Sequence, residues 1–216
     1  MILAQGRLAA SRVASHLVRR FNPRVQRERV QRVTVLAVTG LGVGLASSGG
    51  SGRRFDARLF RAMNVERGQL ADRLLSGVTE LGSIFGSAGA AAALSVVGHR
   101  RVATRGFAAA GTTWVLGQVL KKVFRRARPY DESPGVTRLL IGRPRGTSWP
   151  SSHPAVLLAF LTVVGRELRL APPFRMALSA VAATVGVSRV YLGVHYPSDV
   201  AGGLLLGRAV GLALAR

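Results

Sequence analysis

Apolar residues gather in six stretches along the chain: Val33–Ser48, Leu74–Val97, Val102–Leu120, Pro154–Gly165, Met176–Leu192 and Val200–Ala215. A membrane-crossing helix needs about 20 largely apolar residues, fewer where the bilayer is thin. The second, third and fifth stretches meet that requirement. The first and fourth are short, and the sixth carries Arg208. Small residues recur inside them, as in Gly86-Ser87-Ala88-Gly89-Ala90, and small residues let membrane helices approach closely. The pattern predicts an all-α, six-helix transmembrane bundle. A water-soluble bundle of Ala-rich helices is the competing reading.

The polar stretches divide the chain further. Ser47-Ser48-Gly49-Gly50-Ser51-Gly52 reads as a flexible turn after the first span, and Phe55–Met63 as a short amphipathic helix at the interface. Pro172-Pro173 separates the fourth and fifth spans. Pro129, Pro134 and Pro144 punctuate a loop over 123–152 that cannot continue a helix. Loops of such length are often functional. Residues 2–21 read as a basic helix on anionic lipid, ending before Asn22-Pro23, or equally as a frayed tail. The expected organisation is a basic cytoplasmic segment, 1–32, followed by a transmembrane domain, 33–216.

Charge changes the picture. Lys and Arg total 31 against nine Asp and Glu, a formal net charge of +22. In a water-soluble chain that balance suggests nucleic acid. A mean hydropathy of +0.27, with 48% apolar residues, argues against a nucleic-acid partner and for a bilayer. There is no cysteine, which excludes disulfides, thiolate metal sites and a Cys nucleophile. Only Lys121 and Lys122 are lysines among the basic residues.

The first 32 residues carry eight Arg, and the loops at 98–105 and 166–175 carry three each. The six-span order places these regions and Arg216 on one side, assigned to the cytoplasm by the positive-inside rule. The opposite side should be poor in basic residues, yet 121–145 holds Lys121, Lys122, Arg125, Arg126, Arg128, Arg138, Arg143 and Arg145. A polyanionic headgroup handled on that face accounts for the violation.

Three clusters fall on that face. The first runs from Lys121 to Arg128-Pro129, with Lys121 and Arg128 two helical turns apart. Arg offers a phosphate a bidentate fork, and Lys a point charge. The second is Trp149-Pro150-Ser151-Ser152-His153-Pro154, hydroxyls and backbone N–H groups before an apolar helix, beside an imidazole. The third is Ser188-Arg189 followed by His195 and Asp199. There a carboxylate in reach of the ring fixes one tautomer and frees the other nitrogen as base or nucleophile. Singly, these also read as a solvated collar, an N-cap with an incidental His, and a structural His–Asp pair. On one face of a bilayer, their combination needs a reason.

The combination resembles the type-2 phosphatidic acid phosphatase superfamily. Its pattern is Lys-x6-Arg-Pro, then Pro-Ser-Gly-His, then Ser-Arg-x5-His-x3-Asp. Here it reads Lys121…Arg128-Pro129, Pro150-Ser151-Ser152-His153 and Ser188-Arg189…His195…Asp199. Thr79-Glu80-Leu81-Gly82 also looks like the family, and the likeness covers about 33–216. Ser152 departs from the usual Gly, which lets backbone approach phosphate closely; Ser is small, and activity should survive.

The resemblance implies a metal-independent lipid phosphatase with no cofactor, working through a phosphohistidine. His195 would attack phosphorus, Asp199 would orient His195, and His153 would protonate the leaving oxygen. Lys121, Arg128, Ser151, Ser152 and Arg189 would bind the phosphoryl oxygens. The implied partner is a phosphorylated lipid in the bilayer. Phosphatidic acid, phosphatidylglycerol phosphate, a polyprenyl pyrophosphate and a polyprenyl-linked sugar phosphate all fit one anion pocket, and a phosphotransferase differs only in its acceptor. A vanadate-dependent haloperoxidase shares the pocket, but is larger and soluble. A non-catalytic basic membrane protein would not need every motif residue. The oligomeric state is not legible.

Overall fold

A computed structural model describes residues 23–216, and these residues form helices and loops without strands. The helices are α1 (Pro23–Ser48), α2 (Gly50–Met63), α3 (Gln69–Val78), α4 (Ile84–Val96), α5 (Arg100–Phe124), the single turn α6 (Pro129–Glu132), α7 (Ser152–Glu167), α8 (Pro172–Tyr191) and α9 (Pro197–Leu214). A 3-10 turn, Thr79–Gly82, joins α3 to α4.

α7 is apolar on every side, as a fully enclosed helix should be. Pro154 to Phe160 and Thr162 to Gly165 are all buried. α5, α8 and α9 pack around it, α1 leans on α9, and α4 leans on α5. The α7–α9 contact is made by glycines. A Cβ on Gly203, Gly207 or Gly211 would run into the carbonyl oxygens of Ser151, Ala155 or Ala159 respectively. Both series step by four residues, so one ridge of backbone lies along the other.

Large apolar residues also cover the outside. α1 buries only Gly40, Gly44 and Ser47, while Val30, Val35, Val38 and Leu45 face outward. Phe85 on α4, Trp114, Val115 and Val119 on α5, and Met176 on α8 are exposed as well. A water-soluble monomer does not present so broad an apolar surface. A bilayer covers it without cost.

The expected elements are corrected in several places. Leu74–Val97 is not one span. The 3-10 turn breaks it, and Ser83 caps a new helix by accepting a hydrogen bond from the Gly86 N–H at 2.9 Å. α1 begins at Pro23, upstream of Val33, so the expected boundary at 32/33 lies within a helix. Among the described residues α1 is also the one helix both long and apolar enough to cross a membrane by composition, although Val33–Ser48 looked short. Most of the other expected spans carry Arg or Lys inside their helical bounds, such as Arg100, Lys121, Arg189 and Arg208, and α4 is apolar but has 13 residues. The Ser47–Gly52 turn is a tight corner: α2 starts at Gly50, and Gly52 lies where any Cβ would collide with the Ala46 backbone. The expected basic helix over 2–21 lies outside the described residues.

Candidate active site

The ends of five segments meet at one pole of the bundle. α5 delivers Lys121 in its last turn and ends where Arg125 takes a left-handed conformation (φ 46°). That turn sends Arg126-Ala127-Arg128 across the pole, and Pro129 then starts α6. α7 begins at Ser152, so Ser151, Ser152 and His153 stand at its mouth. α8 contributes Ser188 and Arg189 in its last turn. The chain reverses at Gly193 (φ 83°), where a Cβ would meet Arg138 O at 2.5 Å. Pro197 opens α9, and Asp199 accepts a hydrogen bond from the Tyr196 N–H at 2.8 Å, which closes its first turn.

Asp199 is fully buried and fully engaged. Its Oδ2 accepts from the Tyr196 N–H and from the Ser148 hydroxyl, and lies 3.3 Å from His195 Nδ1. Its Oδ1 accepts from Arg126 Nη1 at 2.7 Å. A carboxylate beside Nδ1 holds the proton there and leaves Nε2 as the lone-pair nitrogen. Nε2 faces the cations, 3.4 Å from Arg128 Nη1. Burial first, and then the charges of Arg128, Lys121 and Arg189, hold the His195 imidazole well below its usual value of 6.5. The ring is therefore neutral at physiological pH.

The cations are braced by backbone carbonyls. Lys121 Nζ donates to Thr147 O at 2.9 Å and Ser148 O at 3.2 Å. Arg128 donates to Gly146 O at 2.8 Å and Val194 O at 2.9 Å. Arg189 Nη1 donates to the Thr79 hydroxyl at 2.9 Å. Arg189 Nε and the hydroxyls of Ser151 and Ser152 are buried without a protein partner. Buried polar groups of that kind call for a ligand or water. The Ser151 N–H is committed to Asp199 O at 3.0 Å, so its hydroxyl is the group left to offer. The Ser152 hydroxyl fits because Gly117 faces it: a Cβ there would stand 3.1 Å from that oxygen. His153 is half-buried, feels the charges of Arg189, Lys121 and Arg128, and has Gly82 packed against its backbone.

All eight expected site residues thus share one pole. Ser148 and Asp56 escaped sequence reasoning, while Arg126 was read only as one of a basic stretch and Thr79 only as part of a family-like run. Ser148 and Arg126 bind the buried carboxylate of Asp199 directly. Asp56 on α2 takes the other arm of Arg126 at 2.6 Å and accepts a hydrogen bond from the Ser198 N–H at 3.0 Å. Thr79 holds Arg189. Arg126 is hidden among neighbouring cations, and Asp56 sits in a helix read only as interfacial. A carboxylate on the apolar side of an amphipathic helix was the available signal. Among the described residues, no group of three or more His, Asp or Glu side chains is placed to hold a metal ion.

A profile of the PAP2 superfamily matches residues 84–216, which takes in four of the six expected spans whole, the later part of Leu74–Val97, and all three clusters. The chain belongs to the PAP2 superfamily. Among curated PAP2-like relatives, decaprenylphosphoryl-5-phosphoribose phosphatase of Mycobacterium tuberculosis is 36% identical over 93 residues, 43% of this chain and 48% of that one. Phosphatidylglycerophosphatase B of Bacillus subtilis is 34% identical over 102 residues, 45% of this chain and 48% of that one. The chain thus spans about half the length of the curated relatives it matches. A crystal structure of a transmembrane PAP2-type phosphatidylglycerolphosphate phosphatase from Bacillus subtilis superposes with a TM-score of 0.71. It covers 85% of this chain and 94% of that one at 24% identity, which shows a shared fold.

Proposed function

We propose that the protein is a multi-pass integral-membrane phosphatase that hydrolyses a lipid phosphate or a lipid pyrophosphate, without metal, through a phosphohistidine on His195. The observation that carries this reading is the His195 ring itself. Asp199 holds Nδ1, and Nε2 points into a nest of three cations. Lys121, Arg128 and Arg189 hold the phosphoryl oxygens, helped by the Ser151 and Ser152 hydroxyls. Their fixed charge matches the charge spread over the equatorial oxygens in the transition state.

Nε2 forms a bond to phosphorus as the bond from phosphorus to the lipid oxygen breaks. Protonated His153 gives its proton to that oxygen. The bound phosphate dianion offsets the three cations around His153 and so favours the protonated ring in the complex. Neutral His153 next takes a proton from water, the water oxygen attacks phosphorus, and the P–N bond breaks. Inorganic phosphate leaves and both rings return to their starting states. Arg126 and Ser148 keep the Asp199 carboxylate in place throughout.

The names of the two curated relatives, one polyprenyl-linked and one glycerophospholipid, support a lipid-borne phosphomonoester as substrate class. The arginine-rich regions at 98–105 and 166–175 support a cytoplasmic placement of the pole opposite His195. The active site then faces away from the cytoplasm, with the basic segment 1–32 inside and 33–216 as the catalytic membrane domain. Phosphate release in detergent from phosphatidic acid, phosphatidylglycerol phosphate, a polyprenyl pyrophosphate and a polyprenyl-linked sugar phosphate tests the reading. Turnover of at least one should persist in EDTA and fall with vanadate, which mimics five-coordinate phosphorus. Activity that vanishes with EDTA and returns with Mg²⁺ overturns the mechanism.

A further inference from the structure

We propose that the pole opposite the candidate active site carries a binding site for the headgroup of an anionic phospholipid, formed by Arg166, Arg175 and Arg208. These residues come from the last turn of α7, the first turn of α8 and the inward run of α9, and line one small pocket. Thr162 shares it, and Leu158, Leu161 and Leu178 form its apolar lining. The guanidinium stems are seated. Arg208 Nη1 donates to the Thr162 hydroxyl at 3.2 Å, and a Cβ on Gly165 would stand 3.2 Å from the Arg175 Cγ.

No acid lines this pocket. Among the described residues, none of the three arginines has an ion pair. Arg166 feels Arg208, Arg175, Arg29 and Arg32 together. The acids in reach are few. The adjoining cleft, about 900 Å³, has Glu28 and Glu167 against Arg29, Arg32, Arg166, Arg169 and Arg216. Glu167 is already taken: Arg105 grips both its oxygens at 3.0 and 2.9 Å, and the Arg216 N–H donates to it at 2.6 Å. Residues 1–22 add four Arg and no Asp or Glu. An anion from outside the protein would balance the charge of this cluster.

The chemistry of the pocket selects which anion. A guanidinium fork matches the oxygens of a phosphodiester, and basic pockets between membrane helices on the cytoplasmic side take lipid headgroups. Leu158, Leu161 and Leu178 line the same small pocket as the three arginines, and this pairing of charge with apolar surface suits a lipid lying across its mouth better than a free phosphate. The inference rests on the membrane placement proposed above but not on the reaction. A phosphodiester lipid is not a phosphomonoester and is not consumed.

The test is titration of delipidated full-length protein in neutral detergent with dioleoylphosphatidylglycerol, read as bound lipid by native mass spectrometry. Three proteins are compared: wild type, R166Q/R175Q/R208Q, and a charge-matched control, R27Q/R100Q/R101Q. Wild type and control should hold one lipid with equal affinity, and the cluster variant should bind it about tenfold or more weakly. Equal loss in both triple variants means a diffuse basic collar and overturns the proposal, as does unchanged binding in the cluster variant. Displacement of the lipid by equimolar inorganic phosphate would make it a small-anion site and also overturns it. Should the triple variant fail to fold, R175Q alone, in the first turn of α8, must weaken binding severalfold and R175K must restore it. Phosphate release is not read in any arm, so loss of the proposed reaction and loss of this site are separable.

Discussion

In the proposed mechanism His195 and His153 have different chemical duties, and substitution should separate them. His195→Ala removes the group that bonds to phosphorus, so turnover should be lost on every substrate. His153→Ala removes a proton donor, and general acid help is typically worth ~10²–10⁴-fold. The lipid leaving group, a basic alkoxide, needs that proton; p-nitrophenolate hardly does. His153→Ala should therefore recover much of its activity on p-nitrophenyl phosphate, while His195→Ala stays inactive on both. Asp199→Asn should lie between them. Turnover per folded molecule on the two substrates decides, and equal recovery by the two His variants would sink the assignment. Ser148→Ala removes a hydrogen bond to a charged carboxylate, worth about 1.5–3 kcal/mol. We expect kcat to fall about tenfold or more with KM little changed. The pH profile follows from the depressed His195 imidazole. A nucleophile is lost as pH falls through its folded-state pKa, so the acid limb of kcat/KM due to His195 should lie well below 6.5, the value of a free imidazole. Arg128→Gln removes a cation that depresses it, so the limb should move up. The motif residues were legible because their spacing within the chain is fixed. Ser148, Arg126 and Asp56 were not, because their partners lie 51, 73 and 70 residues away.

Among the elements, the α7–α9 seam bears most directly on the site. His153 lies at the start of α7, and Asp199 at the start of α9, with His195 just before it. Gly207→Leu would force the helices apart at Ala155. Overpacking costs typically 1–3 kcal/mol, and here the obstacle is backbone that cannot rotate away. We expect a lower melting temperature and, in the folded fraction, a larger loss of turnover than for Gly42→Leu, whose Cβ position is open. Equal losses in the two variants would show that the seam does not set the site. The sequence made the helical content plain but misjudged where helices stop. Leu74–Val97 is apolar enough on average to hide a break, and the break is made by tertiary contacts: Thr79 to Arg189, and Gly82 against His153 and Val185. α1 is longer than its apolar part because a basic first half can still be helical. Arg29 there donates to Leu212 O at 2.8 Å and Ala213 O at 2.6 Å, tying that half to the end of α9.

For the whole molecule the question is orientation. The native chain has no cysteine, so single-Cys labelling is clean. A Cys replacing Ser133, in the exposed loop after α6, should react with a membrane-impermeant maleimide in intact cells. One replacing Ala171, between α7 and α8, should react only after lysis. The reverse pattern would place the site in the cytoplasm, and the arginine bias would then need another cause. Span order in the sequence put the three clusters on one pole and the 98–105 and 166–175 loops on the other, although both poles are rich in basic residues. It did not reveal that the arginine at the centre of one pole is paired with carboxylates while three arginines at the other have no ion pair among the described residues. The Arg126–Asp56–Asp199 network and the unpaired Arg166–Arg175–Arg208 group differ in partners, not in composition.

The glycine seam also sets which positions this chain can afford to change. Its catalytic spacing is gauged by carbonyl oxygens lying against Cα hydrogens, and no side chain stands between them to be trimmed or enlarged in compensation. A single added methyl has nowhere to go. The large outward residues of α1, α4 and α5 meet only hydrocarbon tails, so one apolar side chain serves there as well as another. Tolerance to substitution is thus inverted between these two places: the bulky outward residues are the most exchangeable, and the seam glycines, with no side chain at all, are the least.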